Sequence, residues 1–196
     1  MKKIMFNDKY GLTRAVLDGR KTMTRRIIKC PKVIDGKDVY GLAIVRHPNS
    51  REVIECLALD EEGGEICNIL PKYKVGEVVA VAQCYKDAIQ TDGLPHPLVA
   101  RPGWTNKMFV KSMYMPHQIR ITNVRIEMLQ DINPQDCIAE GIRLEQPFGY
   151  TFDNYGNSKY STRYNTSPVG AFAALIDRTC GEGTWKKNPL CVRIRI

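Results

Sequence analysis

Apolar and polar positions change rhythm along this chain, and each rhythm predicts an element. Residues 4–6 (IMF) form a short apolar run, read as a strand or docking segment. In NDKYGLTRAVLDG, Leu12, Ala15 and Val16 fall at helical spacing, with Asn7 as a cap, Asp8 at the positive end and Gly19 as the stop. Three runs follow between residues 41 and 70, namely GLAIVR, EVIECLAL and GEICNIL. HPNS and DEEGG separate them, which predicts a meander over residues 41–85. VGEVVAVAQCY (75–85) reads as a buried strand, and residues 86–117 read as a long loop. In HQIRITNVRIEMLQDI the alternation of Ile119 and Ile121 changes phase at Asn123 before Val124, Ile126 and Met128, which predicts a bulge or bend within a long strand.

Two helices announce themselves by their ends. INPQDCIAEG offers Asn133 as cap, Pro134 at the first helical position, Asp136 in the first turn and Gly141 as the stop. SPVGAFAALIDRTCG repeats the pattern with Ser167, Pro168 and an inward stripe of Phe172, Leu175 and Ile176. The last residues, LCVRIRI, alternate as a half-buried strand and are expected in one barrel with VGEVVAVAQCY and QIRITNVRIEM. Many short strands with a few modest helices predict an α+β, mainly β fold, a small curled sheet or barrel with peripheral helices. No linker divides the 196 residues, so one domain spans 1–196, with insertions at about 86–116 and 142–166.

Charge sharpens this picture. A formal net charge of +8 favours an anionic partner such as RNA or DNA. Seven Cys at irregular spacing and three scattered His (His47, His96, His117) give neither a disulfide framework nor a zinc pattern, so no metal or cofactor is expected. No segment is apolar enough for a membrane span, and the basic N-terminus lacks the apolar run of a signal peptide. The expectation is a reduced, cytoplasmic protein with no membrane partner.

The candidate chemistry gathers at GRKTMTRRIIK, residues 19–29. Arg20, Lys21, Arg25, Arg26 and Lys29 crowd a helix exit together with Thr22 and Thr24. A charge run is by default a solvated face. Here the mixture of hydroxyls, Lys and Arg is the donor set that contacts phosphates, so Arg20, Arg25, Arg26 and Lys29 are candidate nucleic-acid contacts. Lys21 and Thr24 share a face only on a turn or helix. A Lys beside a Thr activates the hydroxyl if burial or cationic neighbours lower its pKa; otherwise it is one more phosphate contact. Glu140 ends a short helix at the negative end of its dipole, which costs roughly 0.3–1 kcal/mol. Either it is solvated and paired with a base such as Arg143, or a carboxylate is needed there. The insertion residues Tyr150, Phe152, Tyr155, Tyr160 and Tyr164, with Lys159 and Arg163, either stack bases or pack the loop onto the body; packing is the commoner fate.

Taken together, GRKTMTRR after the first helix, VGEVVAVA, MPHQIRITNVRIEMLQDINPQDCIAEGI and FAALIDRTCGEGTWKKNPLCVRIRI resemble the ASCH family, above all its longer members from phages and gut bacteria. The resemblance covers most of the chain. It implies a PUA-like β-barrel and binding of RNA, DNA or a modified nucleoside in a cleft of the barrel. Some small bacterial members are amidohydrolases that remove the acetyl group from the exocyclic amine of acetylcytidine. They use a Lys and a Thr in a G-x-K-x-x-T motif and a Glu in the later short helix. Carried over, these are Lys21, Thr24 and Glu140. Other members are nucleases or binding modules without chemistry, and a phage-accessory domain that binds a protein is a further alternative. This chain departs from the pattern in its length and at Ala82-Gln83, where phage-type relatives tend to carry Arg-Glu.

Overall fold

Runs of β-branched residues make the middle of the chain extended, and the computed structural model describes residues 1–50, 52–89, 101–152 and 164–196. The elements begin with β1 (Lys3–Ile4), α1 (Leu12–Leu17), β2 (Met23–Ile27), β3 (Val33–Ile34) and β4 (Lys37–Asp38). Next come β5 (Gly41–Arg46), β6 (Val53–Leu59), β7 (Glu65–Asn68), β8 (Val78–Val81) and α2 (Tyr85–Ala88). After these lie β9 (Gln118–Arg120), β10 (Asn123–Met128), α3 (Pro134–Ala139), β11 (Arg143–Glu145) and β12 (Gly149–Thr151). The chain finishes with α4 (Pro168–Cys180), α5 (Thr184–Lys187) and β13 (Leu190–Arg195). The fold is α+β and mainly β.

A six-stranded sheet runs β2-β13-β10-β6-β5, with β7 added on β6, and a three-stranded sheet runs β1-β8-β9. The sheets do not close into a barrel among the described residues. The expectation that the C-terminal strand shares one barrel with residues 75–85 therefore holds only in part. β13 pairs with β10 along its whole length, whereas β8 lies in the smaller sheet. One run, residues 118–128, serves both sheets. The Ile121 amide donates to Glu77 O, and the next amide, Thr122, donates to Arg195 O. The phase change at Asn123 marks this crossing, because a run that leaves one sheet for another must exchange its inward face.

The helices confirm the end signals at α3 and α4. Asn133 Oδ1 accepts from the Asp136 amide at 2.8 Å, and Ser167 Oγ from the Gly170 amide at 3.0 Å. The first helix starts later than expected. Asn7 caps a turn, accepting from the Lys9 amide, and Gly11 at φ 63° sets the helix start. Residues 143–151, expected as loop, form the hairpin β11–β12, with Arg143 opposite Thr151. Of the aromatics expected to pack there, Phe152 is buried edge-on against Tyr10 and Tyr150 packs against the core, whereas Phe148 at the hairpin turn is exposed. His96, Tyr155, Tyr160, Lys159 and Arg163 lie outside the described residues.

The core lies between the sheets and α4, where Ile4, Val79, Val81, Ile121, Phe172 and Ile194 are buried. β2 is an edge strand. Its side chains alternate, so that Thr24 and Arg26 share one face with Ile194 and Val192, and Arg25 shares the other with Arg193 and Cys191. The second face is covered as well: Cys191, on the face opposite Val192 and Ile194 in the half-buried alternation of LCVRIRI, is fully buried.

Candidate active site

The first helix ends at Asp18, and Gly19 at φ 72° turns the chain so that Lys21 enters the interior before β2 begins. Lys21 is 2% exposed. Its Nζ donates to Glu140 Oε2 at 2.7 Å and to the Glu140 carbonyl at 2.7 Å. Glu140 is the C-cap of α3, so the ammonium occupies the negative end of that helix and offsets the unfavourable placing of the carboxylate. The next residue, Gly141, sits at φ 103°, and a Cβ there would meet Lys21 Cβ and Cδ at 3.7 Å and Leu12 Cδ2 at 3.5 Å. Gly141→Ala is expected to destabilise the fold by about 1–2 kcal/mol, the cost of a left-handed non-glycine residue. Urea unfolding measures this, and an unchanged midpoint would show that the turn relaxes freely.

Arg25 ties the same carboxylate into a larger cluster. Its Nη1 donates to Glu140 Oε1 at 3.3 Å, its Nη2 to Asp136 Oδ2 at 2.8 Å and its Nε to Glu127 Oε1 at 2.7 Å. Arg193 approaches Glu127 and Asp136 at 3.8 and 3.6 Å. Three cations, Lys21, Arg25 and Arg193, thus face three carboxylates, Glu127, Asp136 and Glu140. Register explains the meeting: Arg25 lies opposite Arg193 on β13, Cys191 opposite Glu127 on β10, and α3 lies against β2.

A cavity of about 230 Å³ opens beside this cluster between the edge of β2, α4 and residues 6–12. Lys21, Thr24 and Glu140 all line it, so the structure brings together the three residues singled out by sequence. Phe172, Leu175 and Ile176 give it an apolar wall. The Thr24 hydroxyl makes no hydrogen bond among the described residues. By the alternation of antiparallel pairing, the Ile28 amide bonds Leu190 O, and the main-chain groups of Arg25 and Ile27 turn to the open edge on the cavity side.

Burial pushes the Lys21 ammonium below its usual pKa of 10.5. The attraction of Glu140 offsets this only in part, and Arg26 and Arg25 push the same way as burial. The thiols beside the cluster are inert by the same physics. Burial pushes Cys137 up to about 11 and Cys191 up to about 12, so neither is a thiolate near neutral pH.

The expected phosphate-binding run does not form one surface. Arg25 is enclosed by its ion pairs and offers no face to an external phosphate, because three carboxylates need its charge. Arg20 is exposed and pairs with Asp18 at 3.3 Å, and Lys29 is exposed at the far end of β2. Arg26 is half-buried. Gln83, at the departure from the family pattern, is buried and meets His117 Nδ1 at 2.7 Å, away from the cavity lining. Glu127, Asp136 and Arg193 were not visible as site residues. Their strand and helix positions mark only element membership, and register alone joins them. Among the described residues no cluster of His, Cys, Asp or Glu could hold a metal ion, and no helix is long and apolar enough to cross a membrane. No family model, no curated protein and no solved structure matches the chain.

Proposed function

We propose that the chain is an ASCH-type protein with PUA-like ancestry whose cavity takes a modified cytidine and hydrolyses the amide on its exocyclic nitrogen. The observation that carries this reading is the buried Lys21–Glu140 pair at 2.7 Å, opening on a cavity that Thr24 also lines. A buried ion pair is a poor device for stability, because desolvating both charges consumes most of their attraction. A Lys held below its normal pKa, lining one cavity with an unengaged hydroxyl, is a device for chemistry.

In this reading Lys21, when neutral, takes the proton of the Thr24 hydroxyl as Oγ1 attacks the acyl carbon. The oxyanion receives main-chain N–H groups from the open edge of β2 at Arg25 and Ile27. The C–N bond then breaks, and the cytosine amine leaves with a proton relayed from the Lys21 ammonium, which Glu140 holds in place. Water, deprotonated by Lys21, attacks the Thr24 ester; the C–O bond breaks, the Lys21 ammonium returns its proton to the leaving Thr24 oxygen, and the carboxylic acid is released. No metal or cofactor is needed for these steps. The apolar wall from α4 suits a short acyl chain.

The test is a panel of cytidines acylated at the exocyclic amine, incubated with the full chain. Release of cytidine with the free acid supports the reading. Binding without release supports the second reading, a module that binds RNA, DNA or a nucleoside without chemistry, which the net charge of +8 favours independently. Absence of both would remove the nucleoside altogether.

A further inference from the structure

A second cavity, of about 400 Å³, adjoins the first, and Arg26 lines both. The second cavity lies between the ends of β1 and β2. Lys3, Arg26 and Lys72 line it with Tyr73, over a floor of Val192 and Ile194. It has three cations in its wall and no carboxylate.

The cations are not equally occupied. Lys3 Nζ donates to the carbonyls of Lys107, Met108 and Val110, which uses all its donors. Lys72 stands over the Tyr73 ring, its ammonium 5.6 Å from the centroid, and makes no ion pair among the described residues. Arg26 is the unusual one. Its guanidinium lies 5.6 Å from the Phe6 ring and donates from Nη2 to Met5 O. Its Nε is buried with no hydrogen-bond partner, and it has no ion pair among the described residues. The neighbouring cluster cannot supply one, since its three carboxylates already face three cations. Arg26 as a whole is half-buried, but an Nε withdrawn from water with no acceptor is costly to keep, and an anion that accepts from it removes that cost. Arg is suited to such an anion because its fork matches the oxygens of a phosphate.

We propose that the Arg26 cavity is a phosphate subsite, so that the ligand is a nucleotide whose base enters the Lys21–Thr24–Glu140 cavity and whose phosphate ester meets Arg26 and Lys72. This rests on the nucleoside reading of the first cavity. The phosphate belongs either to a mononucleotide or to a strand, and the chemistry recognised is the same.

Inorganic phosphate, titrated into the full chain and followed by the Nε–H resonances of its arginines, tests the subsite without any base. One saturable Arg signal is expected, absent in Arg26→Gln. Acetylcytidine, its 5′-monophosphate and a short oligonucleotide carrying the same base are then titrated. A nucleotide is expected to bind at least about tenfold tighter than the nucleoside, close to 1.4 kcal/mol. That ratio should fall toward one in Arg26→Gln and fall partly in Lys72→Ala, an exposed position whose change leaves the core intact. A preference for the monophosphate assigns the free nucleotide, and a preference for the oligonucleotide assigns a strand. If phosphate shifts Arg26 while no base-bearing ligand gains from the first cavity, the nucleoside reading fails and the anion subsite stands. Equal affinity for nucleoside and nucleotides in the wild type, or an undiminished ratio in a folded Arg26→Gln, would overturn the proposal.

Discussion

Arg25→Ala is expected to cost about 3–5 kcal/mol of folding stability, because it leaves buried carboxylates without their counter-charge. That is a large share of a domain's total of about 5–15 kcal/mol. Arg20→Ala and Lys29→Ala, at exposed positions in the same run, are expected to stay within about 0.5 kcal/mol of wild type. The contrast follows from Arg25 bonding Glu127, Asp136 and Glu140 at once, each at 2.7 to 3.3 Å. The sign of the pH response follows too. Burial already pushes the Glu127 carboxyl above the usual carboxylate range, and losing Arg25 removes the largest effect that opposes it. The penalty is then fully present above that raised value and vanishes below about pH 4, where the unfolded carboxylate is protonated as well. The deficit of Arg25→Ala, measured by urea unfolding, should therefore shrink as the pH falls from 7 to 4. A deficit under about 1 kcal/mol at pH 7 would return Arg25 to the surface role that its place in a basic run suggests.

The distance between those two roles shows what a sequence can carry. The caps at Asn133 and Ser167 are local, so α3 and α4 could be read directly. Lys21, Thr24 and Glu140 were found because an odd placement, an acid at the wrong end of a helix, coincides with a motif. The interior position of Arg25 could not be read. Strand alternation separates it from Thr24 and Arg26, but which face is covered depends on α3 folding back over β2 from more than a hundred residues away. The same long-range packing turned Cys191 inward. The hairpin at 143–151 was missed because its strands are three residues long and too polar for a period-two signal.

Lys21→Met is expected to lower turnover of an acylated cytidine by about 10²–10⁴-fold, the usual worth of a positioned acid–base group. The substitution also leaves Glu140 buried without its ammonium, so a fall in stability accompanies it and confuses the reading. Lys21→Arg separates the two effects. A guanidinium keeps the charge beside Glu140 but stays protonated at any working pH, so it should restore much of the fold and none of the turnover. Glu140→Gln should lose turnover to a similar degree, since Lys21 and Glu140 act on one transition state and their losses do not add.

The pH dependence of that turnover follows from Lys21. Its folded pKa lies below the usual 10.5, with burial as the main cause. The folded chain therefore binds fewer protons at this site than the unfolded one. The stability penalty of burying the charge is complete below the folded pKa and is relieved as the pH rises from there toward 10.5. The neutral base becomes available over the same interval, so turnover rises with pH through an apparent pKa below that of a free lysine.

The most direct test is the rate of cytidine release from acetylcytidine by the full chain, followed from pH 6 to 10 for wild type and for Lys21→Arg. The expected result is a wild-type rate that climbs along a limb with its midpoint below 10.5, and no release above the uncatalysed rate by the folded variant. A wild-type rate equal to the uncatalysed one, or a Lys21→Arg profile that overlays the wild type, would contradict a Lys21-driven hydrolase.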